Sequence, residues 1–275
     1  MNYKGKTVGL TGADGFLGSA LAEELRAQGA VVKIISGDTR KIETFSSVVD
    51  HSMDYLFHFG SPSSQVVFKR QPLHSAEVTI RGFINAISAC QYSGVKLIYP
   101  STGLLSQGKI NEYAQCKKIC EDIHLGENID AIGVRIFATY GPGEDHKRDY
   151  ASVPFLFVRD IVTGQRPIIF GDGEQVRDFI FIEDTVKGIL NIAEKCNEPI
   201  IDLGFGKQNS FNDLINIINK HLKKEVKPQY VDKPIDYVEK TSASVDKLSK
   251  YYTPTIGIDE GIERIIKSLQ GESRK

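Results

Sequence analysis

The sequence has 275 residues, of which 41% are hydrophobic, and its 34 basic side chains nearly balance its 35 acidic ones. This composition is typical of a soluble globular protein with one large or two small domains. The net charge of -1 offers no basic surface for nucleic acid, and no apolar run approaches the roughly 20 residues of a membrane span. Neither partner is expected, and the chain is predicted to be cytoplasmic.

Strand-like apolar runs alternate with helical patterns along the first half of the chain. Apolar residues spaced by three and four predict helices, whereas short apolar runs between polar residues predict buried strands. This βαβ alternation is typical of a doubly wound parallel sheet of the Rossmann type, an α/β fold that binds ligands at the carboxyl ends of its strands. The strands are expected at 7–10, 31–35, 55–59 and 95–99, and the helices over 18–28 and 78–90.

The regular alternation of strand-like and helical patterns ends after Gly141-Pro142-Gly143. A proline-punctuated stretch leads to a helix near 184–195, a strand at 199–203 and a helix over 211–222. We therefore expect two lobes. Residues 1–151 and 177–206 are assigned to a Rossmann nucleotide-binding lobe, and residues 152–176 and 207–275 to a smaller α/β substrate-binding lobe.

Gly12, Gly15 and Gly18 lie between the first predicted strand and the first predicted helix. Glycines at this spacing let the backbone turn tightly and approach a pyrophosphate, whose charge is stabilised by free N–H groups at the helix N-terminus. The alternative is a tight turn without a ligand. Because the motif stands at the strand–helix junction of a βαβ chain, it predicts a nucleotide cofactor.

Tyr113 and Lys117 are four residues apart in a predicted helix, so both side chains project from one face. A tyrosine with a pKa near about 10 is a poor acid or base at neutral pH, but a neighbouring ammonium and an oxidised nicotinamide favour the phenolate. The alternative is a solvated lysine beside a half-buried tyrosine. With the glycine motif upstream, the pair indicates a catalytic Tyr113 tuned by Lys117.

Cys116, Cys120 and His124 recur at helical spacing and are residue types that bind zinc. A fourth ligand is missing. The cysteines are therefore interpreted as reduced, buried thiols, and no metal is expected.

Several segments resemble the extended short-chain dehydrogenase/reductase superfamily, in particular its NAD(P)-dependent nucleotide-sugar epimerase/dehydratase group. The resemblance implies an oxidoreductase that acts on a nucleotide-diphosphate sugar. It also implies a homodimer built from the helices over 78–90 and 113–125. Besides the glycine motif, the matching segments are Phe57-His58-Phe59-Gly60-Ser61, Tyr113-Ala114-Gln115-Cys116-Lys117, 134–142 and 170–179.

The resemblance implies a Ser or Thr at a strand end that hydrogen-bonds the reacting oxygen. Alignment on the strand end selects Thr102, with Ser101 as the fallback. Relatives that eliminate water or decarboxylate carry an acidic residue directly after this hydroxyl, whereas Gly103-Leu104 follows here. The sequence therefore favours reduction of a 4-keto sugar, with 4-epimerisation as the alternative and a non-catalytic dinucleotide sensor as the alternative of another class.

The resemblance also implies the cofactor contacts. Enzymes that use NAD place an acidic residue after the second strand, whereas enzymes that use NADP offer a cation. Ser36 is neutral and Arg40 follows, so NADP is favoured. The acidic residue Asp38 leaves NAD as the alternative cofactor. The expected cofactor-binding residues are Gly12, Gly15, Phe16, Leu17, Gly18, Ser36, Arg40, Phe59, Gly60, Ser61, Tyr113 and Lys117.

On the substrate side, Arg177 is the residue that the resemblance assigns to the diphosphate, because a guanidinium binds it through two hydrogen bonds. Lys233 and Asp236 stand where relatives carry an Arg and an Asp, and Ala138 stands where many relatives carry an Asn. The expected substrate-binding residues are Thr102, Tyr113, Ala138, Phe170, Arg177, Lys233 and Asp236.

Overall fold

The computed structural model describes residues 2–108, 110–234 and 237–271. Asp236, which we expected to contact substrate, lies outside the described residues. The strands are β1 Thr7–Thr11, β2 Val31–Ile35, β3 Tyr55–His58, β4 Lys96–Thr102, β5 Ala131–Ile136, β6 Ala138–Tyr140, β7 Ile168–Phe170, β8 Val176–Phe181, β9 Ile200–Leu203, β10 Gln208–Ser210 and β11 Gln229–Val231. The helices are α1 Phe16–Ala27, α2 Glu43–Ser46, α3 Gln65–Arg70, α4 Pro72–Ser93, α5 Glu112–Gly126, α6 Val153–Val162, α7 Ile182–Lys195, α8 Phe211–Leu222 and α9 Ile258–Leu269.

The main sheet has six strands in the order β2-β1-β3-β4-β5-β9, and every neighbouring pair is parallel. Along β4, Leu97 and Tyr99 face one hydrophobic core while Ile98 faces the other. This period of two shows that the sheet is buried on both faces. Helices α1 and α7 pack together on one side, and α4 and α5 pack together on the other. The predicted doubly wound parallel sheet is therefore confirmed.

The edge of this sheet is β2, which pairs only with β1 in the described part of the chain. Residues 36–54, all of which the structure describes, form the short helix α2 but no strand. The short span between β2 and β3 leaves no room for a further strand and its crossover helix. This edge of the sheet is therefore bordered by the loop and short helix of residues 36–54 and not by another strand.

Smaller sheets stand beside the main one, with strand orders β10-β8-β6 and β11-β7. In the first of them, β8 pairs with β10, so the sequence-based lobe boundary at residues 206 and 207 runs between hydrogen-bonded strands. One hydrophobic core also continues from Val8 in β1 through Ile180 in β8 to Ile265 in α9. The lobe boundaries therefore stay a prediction. Among the described helices, none is long and apolar enough to cross a membrane.

Candidate active site

The glycine turn between β1 and α1 brings three backbone segments into close contact. Gly12 has φ of +73°, and a Cβ there would lie 2.6 Å from the carbonyl oxygen of Phe59. A Cβ on Gly18 would lie 1.9 Å from the carbonyl oxygen of Gly12. Side chains are therefore excluded at both positions by the protein itself, independently of any ligand.

Gly15 differs from these two glycines because the space beside it is open. A Cβ there would meet only the Gly12 carbonyl oxygen, at 3.3 Å. Gly15 is also the N-cap of α1 and has no side chain to satisfy the first N–H groups, those of Phe16 and Leu17. Free N–H groups and the positive end of the helix dipole favour an anion at this point. The turn therefore fits the pyrophosphate of a dinucleotide.

Lys147 adds a positive charge next to this turn. Its Nζ lies 4.7 Å from the centre of the Phe16 ring and forms an ion pair of 2.8 Å with buried Glu144. The sequence analysis missed Lys147, because it lies about 130 residues downstream and belongs to no recognised motif. Only the fold brings it to the turn.

The side chains of Tyr113, Lys117 and Thr102 meet where α5 crosses the end of β4. The hydroxyl of Tyr113 lies close enough to Thr102 for their interaction to lower the Tyr113 pKa. Lys117, one turn further along α5, donates from Nζ to Ser61 Oγ at 2.9 Å. The structure thus brings together all three residues predicted to be catalytic, along with the predicted cofactor contact Ser61.

Burial governs the protonation of Tyr113 and Lys117. It raises the pKa of the Tyr113 hydroxyl to about 12, although the hydrogen bond from Thr102 acts in the opposite direction. Burial also lowers the pKa of Lys117. Desolvation of the phenolate dominates the Tyr113 pKa here, while the Lys117 ammonium donates to Ser61. The lowering expected from Lys117 together with an oxidised nicotinamide stays a prediction.

A buried polar network decides which hydroxyl reaches Tyr113. Ser101 Oγ donates to Glu121 Oε1 at 2.5 Å, and Arg135 binds the same carboxylate through Nε at 2.8 Å and Nη2 at 2.7 Å. Ser101 is therefore held on the far side of β4 while Thr102 faces Tyr113, since neighbouring strand residues point in opposite directions. The sequence analysis missed the Glu121–Arg135 pair.

At the adenosine end, Arg40 is engaged by two carboxylates. Its Nε lies 2.9 Å from Asp38 Oδ1, its Nη2 lies 2.8 Å from Asp38 Oδ2, and its Nη1 lies 3.1 Å from Glu77. Arg40 lowers the pKa of the Asp38 carboxyl to about 2. The expectation of a guanidinium open to a 2'-phosphate is therefore not met, because Asp38 occupies it. Ser36, expected at the end of the second strand, is the first residue after β2.

On the substrate side, Arg177 in β8 lies between the rings of Phe211 and Tyr237, at 5.5 and 5.7 Å from their centres. Its guanidinium donates to the backbone carbonyls of Val176 and Val238. Within the described residues it forms no ion pair with a carboxylate, and burial lowers its pKa. A largely desolvated guanidinium whose hydrogen bonds go to backbone carbonyls, with Glu239 acting on it only at longer range, favours an anionic ligand.

The other predicted substrate residues lie near this position with different contacts. Phe170 ends β7 with its ring 5.9 Å from that of Tyr237, and it is 40% exposed. Lys233 forms an ion pair of 2.8 Å with Glu239, so its charge is already compensated. Ala138 begins β6 and pairs with Phe179 of β8.

The residues weighed as zinc ligands have other partners. His124 Nδ1 lies 3.0 Å from the hydroxyl of Tyr99, and Cys120 Sγ lies 3.8 Å from the carbonyl oxygen of Thr79. Cys116 and Cys120 are buried free thiols whose pKa values are raised by burial. They act as small apolar residues between α4 and α5.

Residues 8–204 match the family model described as "NAD dependent epimerase/dehydratase family". That range covers more than half of the chain and contains the glycine turn, Tyr113, Lys117 and Arg177. The chain belongs to the NAD-dependent epimerase/dehydratase family. It is an enzyme of the extended short-chain dehydrogenase/reductase type, as the resemblance implied.

Several proteins of this family are similar to the chain over nearly its whole length. The putative UDP-glucose 4-epimerase of Methanocaldococcus jannaschii is 26% identical, with 96% of this chain and 99% of that protein covered. UDP-glucuronic acid decarboxylase 2 of Arabidopsis thaliana is 23% identical, with 98% of this chain and 69% of that protein covered.

Solved structures of epimerases share the fold. The UDP-glucose 4-epimerase of Thermotoga maritima with UDP-glucose superposes with a TM-score of 0.88 at 22% identity, covering 97% of this chain and 99% of that one. The UDP-glucose 4-epimerase of Thermus thermophilus in complex with NAD gives a TM-score of 0.84 at 21% identity, covering 97% and 100%. The chain therefore shares the fold of these two proteins.

Proposed function

We propose that the protein is an NAD-dependent epimerase that inverts C4 of the sugar in a nucleotide-diphosphate sugar. The observation that carries the proposal is that Tyr113 and Lys117 lie one turn apart on α5, with Thr102 at the end of β4 beside the Tyr113 hydroxyl and Lys117 bonded to Ser61. This arrangement offers one proton-transferring group and one orienting hydroxyl, which is what oxidation and reduction of a single alcohol carbon requires.

In this proposal Tyr113 removes the proton from the C4 hydroxyl and later returns it to the ketone oxygen. NAD, which Gly12, Gly15, Gly18 and Lys117 would hold, would supply the hydride chemistry for the oxidation of C4 and its reduction. Thr102 orients the reacting oxygen, and Lys117 holds positive charge near the phenolate. No net oxidation results, because each proton and hydride removed is restored.

The absence of an acidic group after Thr102 supports this reaction over elimination or decarboxylation. Gly103 follows, and a Cβ there would lie 2.7 Å from the ring of Phe137. A carboxylate side chain is thus excluded at the position where the resemblance locates one in the other branches. The next residue, Leu104, is apolar and buried, so it supplies no second acid.

The contacts of Arg40 support NAD over NADP. With its guanidinium bound to Asp38 and Glu77, a 2'-phosphate would meet the Asp38 carboxylate, which repels it. The adenosine 2'-hydroxyl of NAD carries no charge and can donate to that carboxylate. We therefore propose NAD in place of the NADP that the sequence favoured.

We propose that Arg177 binds the diphosphate, with Phe170 beside the nucleobase. The support is chemical, since a desolvated guanidinium without a carboxylate partner matches two phosphate groups. Lys233 and Asp236 stay predicted substrate contacts, and the ion pair of Lys233 with Glu239 makes it the weaker one.

The second candidate is reduction of a 4-keto nucleotide sugar. The observation that favours it is the short span from 36 to 54, which resembles the corresponding span of 4-keto sugar reductases more than that of epimerases. The same catalytic residues serve both reactions. The two differ in net redox change, because the epimerase returns the sugar at its original oxidation level, whereas the reductase releases it reduced by two electrons taken from the cofactor.

The test incubates purified protein with UDP-, dTDP-, GDP- and CDP-hexoses and with their 4-keto derivatives. Interconversion of C4 epimers without net cofactor turnover is expected, whereas stoichiometric oxidation of reduced cofactor with a keto sugar supports the reductase. Tyr113→Phe should lower kcat by about 10²–10⁴-fold with KM little changed. Full activity in Tyr113→Phe would contradict the mechanism, and a wild type that binds NAD but turns over no sugar would favour the sensor.

We also propose a homodimer through α4 and α5. These helices expose large apolar side chains at Tyr92, Ile119 and Leu125, which are 85%, 42% and 57% exposed. Light scattering coupled to gel filtration is expected to give twice the mass of the chain. Replacing Ile119 and Leu125 together with Glu should give the monomer, since charges disfavour an apolar interface.

A further inference from the structure

The loop between β6 and α6, residues 141–152, is organised by one buried carboxylate. Glu144 Oε1 accepts hydrogen bonds from the Gly141 N–H at 3.2 Å and from Ser152 Oγ at 2.6 Å. Its Oε2 accepts from the Ser152 N–H and from Lys147 Nζ, both at 2.8 Å. The carboxylate therefore joins the two ends of the 141–152 loop and fixes Lys147 in its middle.

Lys147 lies against the residue at which α1 begins. Its Nζ is 4.7 Å from the centre of the Phe16 ring, and its side chain is 24% exposed. Within the described residues, one of its three N–H groups is donated, to Glu144 Oε2. The other two can be donated to a further acceptor.

A positive charge at this point is opposed by the helix beside it. The N-terminus of α1 carries the positive end of the helix dipole, and Gly15 has no side chain that could cap the first N–H groups. The first turn of α1, which the structure describes in full, also contains no acidic residue. An anion bound here would interact favourably with both the helix and Lys147, so the arrangement favours an anionic ligand.

We propose that Lys147 is a cofactor-binding residue that contacts the pyrophosphate of the dinucleotide at the N-terminus of α1. The proposal rests on the proposed function only in taking the glycine turn as the cofactor site. An ammonium binds phosphate as a point charge and needs no paired geometry. When Lys147 donates to a phosphate oxygen, Glu144 keeps its hydrogen bonds with Gly141 and Ser152, so the loop keeps its shape.

Lys147 supplies a charge that the other cation predicted from the sequence does not. Arg40, which we expected at the cofactor, is engaged by Asp38 and Glu77. The backbone of the glycine turn offers hydrogen bonds but no formal charge. An ammonium from the 141–152 loop is therefore the part of the site that balances the charge of the pyrophosphate.

A second contact ties the 141–152 loop to α3. The Tyr150 hydroxyl accepts a hydrogen bond from Arg70, whose guanidinium carbon lies 4.7 Å from the centre of the Tyr150 ring. Helix α3 follows shortly after Ser61, which accepts from Lys117. The loop thus contacts α1 through Lys147 and α3 through Tyr150, and these two elements adjoin the glycine turn and Ser61. Release of a bound dinucleotide is expected to require this loop to loosen.

The first experiment measures the binding of NADH and NADPH by fluorescence titration and of ADP-ribose by isothermal titration. Lys147→Met removes the charge, Lys147→Gln removes it but keeps a donor for Glu144, and Lys147→Arg retains a cation. Thermal melting without ligand is the control for folding. Lys247→Met is the matched control, because Lys247 also pairs with a glutamate, Glu198, but at the amino end of β9 and away from the glycine turn.

Loss of a charge-assisted hydrogen bond should raise the Kd about 10-fold or more for all three ligands in Lys147→Met and Lys147→Gln. Lys147→Arg and Lys247→Met should bind nearly as the wild type does. ADP-ribose retains the pyrophosphate but lacks nicotinamide, so an equal loss for NADH and ADP-ribose assigns Lys147 to the phosphates. Wild-type affinity in folded Lys147→Gln, or a loss for NADH without one for ADP-ribose, would overturn the proposal.

The second experiment measures how fast bound NADH is displaced by excess ADP-ribose in a stopped-flow instrument. Arg70→Met releases the contact with Tyr150 and leaves Lys147 in place. Dissociation is expected to be faster in Arg70→Met and in Lys147→Gln than in the wild type, and unchanged in Lys247→Met. Equal dissociation rates in all four proteins would refute the role of the 141–152 loop in retaining the cofactor.

Gly15→Val separates the failure of this inference from the failure of the proposed function. If folded Gly15→Val binds NADH normally, the glycine turn is not the cofactor site and the role of Lys147 fails with it. If Gly15→Val loses NADH while Lys147→Gln does not, the role of Lys147 alone is refuted. A protein whose cofactor binding depends on Lys147 but that turns over no nucleotide sugar would contradict the proposed function and support this inference.

Discussion

Glu121 and Arg135 form an ion pair with two hydrogen bonds that joins the helix carrying Tyr113 to strand β5. The Glu121 side chain is 2% exposed and that of Arg135 is 24% exposed, so removing either partner has unequal consequences. Arg135→Met leaves a buried carboxylate unpaired and is expected to reduce the free energy of unfolding by about 3 kcal/mol. Glu121→Gln keeps the side-chain oxygen that accepts the hydrogen bond from Ser101, so it should reduce the free energy of unfolding by less than Arg135→Met does. Urea unfolding monitored by circular dichroism measures the free energy of unfolding of both variants. An equal loss of stability in the two would contradict the unequal roles of Arg135 and Glu121.

Gly15 and Gly18 provide a matched pair that separates cofactor binding from folding. Gly15→Val places its side chain in open space beside the α1 N-terminus, so the protein should fold but lose NAD binding. Gly18→Ala places a Cβ 1.9 Å from the Gly12 carbonyl oxygen and should lower the melting temperature even without cofactor. Titration of NADH fluorescence and thermal melting are the two measurements. Normal NADH binding by folded Gly15→Val would exclude this turn as the pyrophosphate site.

The Asp38–Arg40 pair predicts how cofactor preference can be changed. Wild type is expected to bind NAD more tightly than NADP, because the Asp38 carboxylate repels a 2'-phosphate. Asp38→Ser removes that charge and frees the guanidinium, and a charge-assisted hydrogen bond should then strengthen NADP binding about 10-fold or more. Isothermal titration with both cofactors tests this. The double variant Asp38→Ser/Arg40→Ala is the control, and it should lose the gain in NADP affinity.

Arg177 is expected to act through binding and not through the chemical step. The diphosphate is held equally in the ground state and in the transition state, so Arg177→Ala should raise KM with kcat nearly unchanged. Arg177→Lys keeps the charge but not the two parallel hydrogen bonds, and it should recover only part of the loss. Steady-state kinetics on the identified substrate measure both. A lower kcat at saturating substrate would indicate a role beyond diphosphate binding.

His58 predicts an acid-sensitive contribution to stability. Its pKa is lowered to about 3 in the folded protein and returns to about 6.5 on unfolding. The unfolded state therefore binds one more proton between these values, so this contribution is complete above about pH 6.5 and is lost as the pH falls toward 3. His58→Gln, which cannot take up the proton, should show a stability–pH slope smaller by up to about 1.4 kcal/mol per pH unit in this window. Parallel slopes for the two proteins would contradict a buried neutral His58.

The parts of the site that follow from the sequence are those that local spacing determines. Tyr113 and Lys117 share a helical face because they are four residues apart, and the glycine turn follows from its place between β1 and α1. Thr102 could be selected because the family resemblance implies a hydroxyl residue at the end of this strand, and Thr102 stands there. The order and parallel arrangement of the early strands follow from the βαβ pattern in the same way.

The parts that were missed depend on contacts between distant segments. Lys147 reaches the glycine turn, and Glu121 pairs with Arg135, only because of how helices and loops cross the sheet. Arg40 was expected to be free because a sequence shows that Asp38 is near but not whether the two side chains bond. Burial of Tyr113, which raises its pKa, is likewise a property of the packed structure and not of the motif.

The end of the main sheet at β2 bears on how the protein behaves at high concentration. A strand without an outer neighbour presents backbone N–H and C=O groups that a second polypeptide can pair with, and here Val31 and Ile34 are also 56% and 39% exposed. Two features oppose such pairing. The strand is only five residues long, and Lys33 in its middle brings a charge that an incoming strand would have to desolvate. Replacing Lys33 by an apolar residue would therefore turn this short edge into the surface from which intermolecular sheets and aggregates grow.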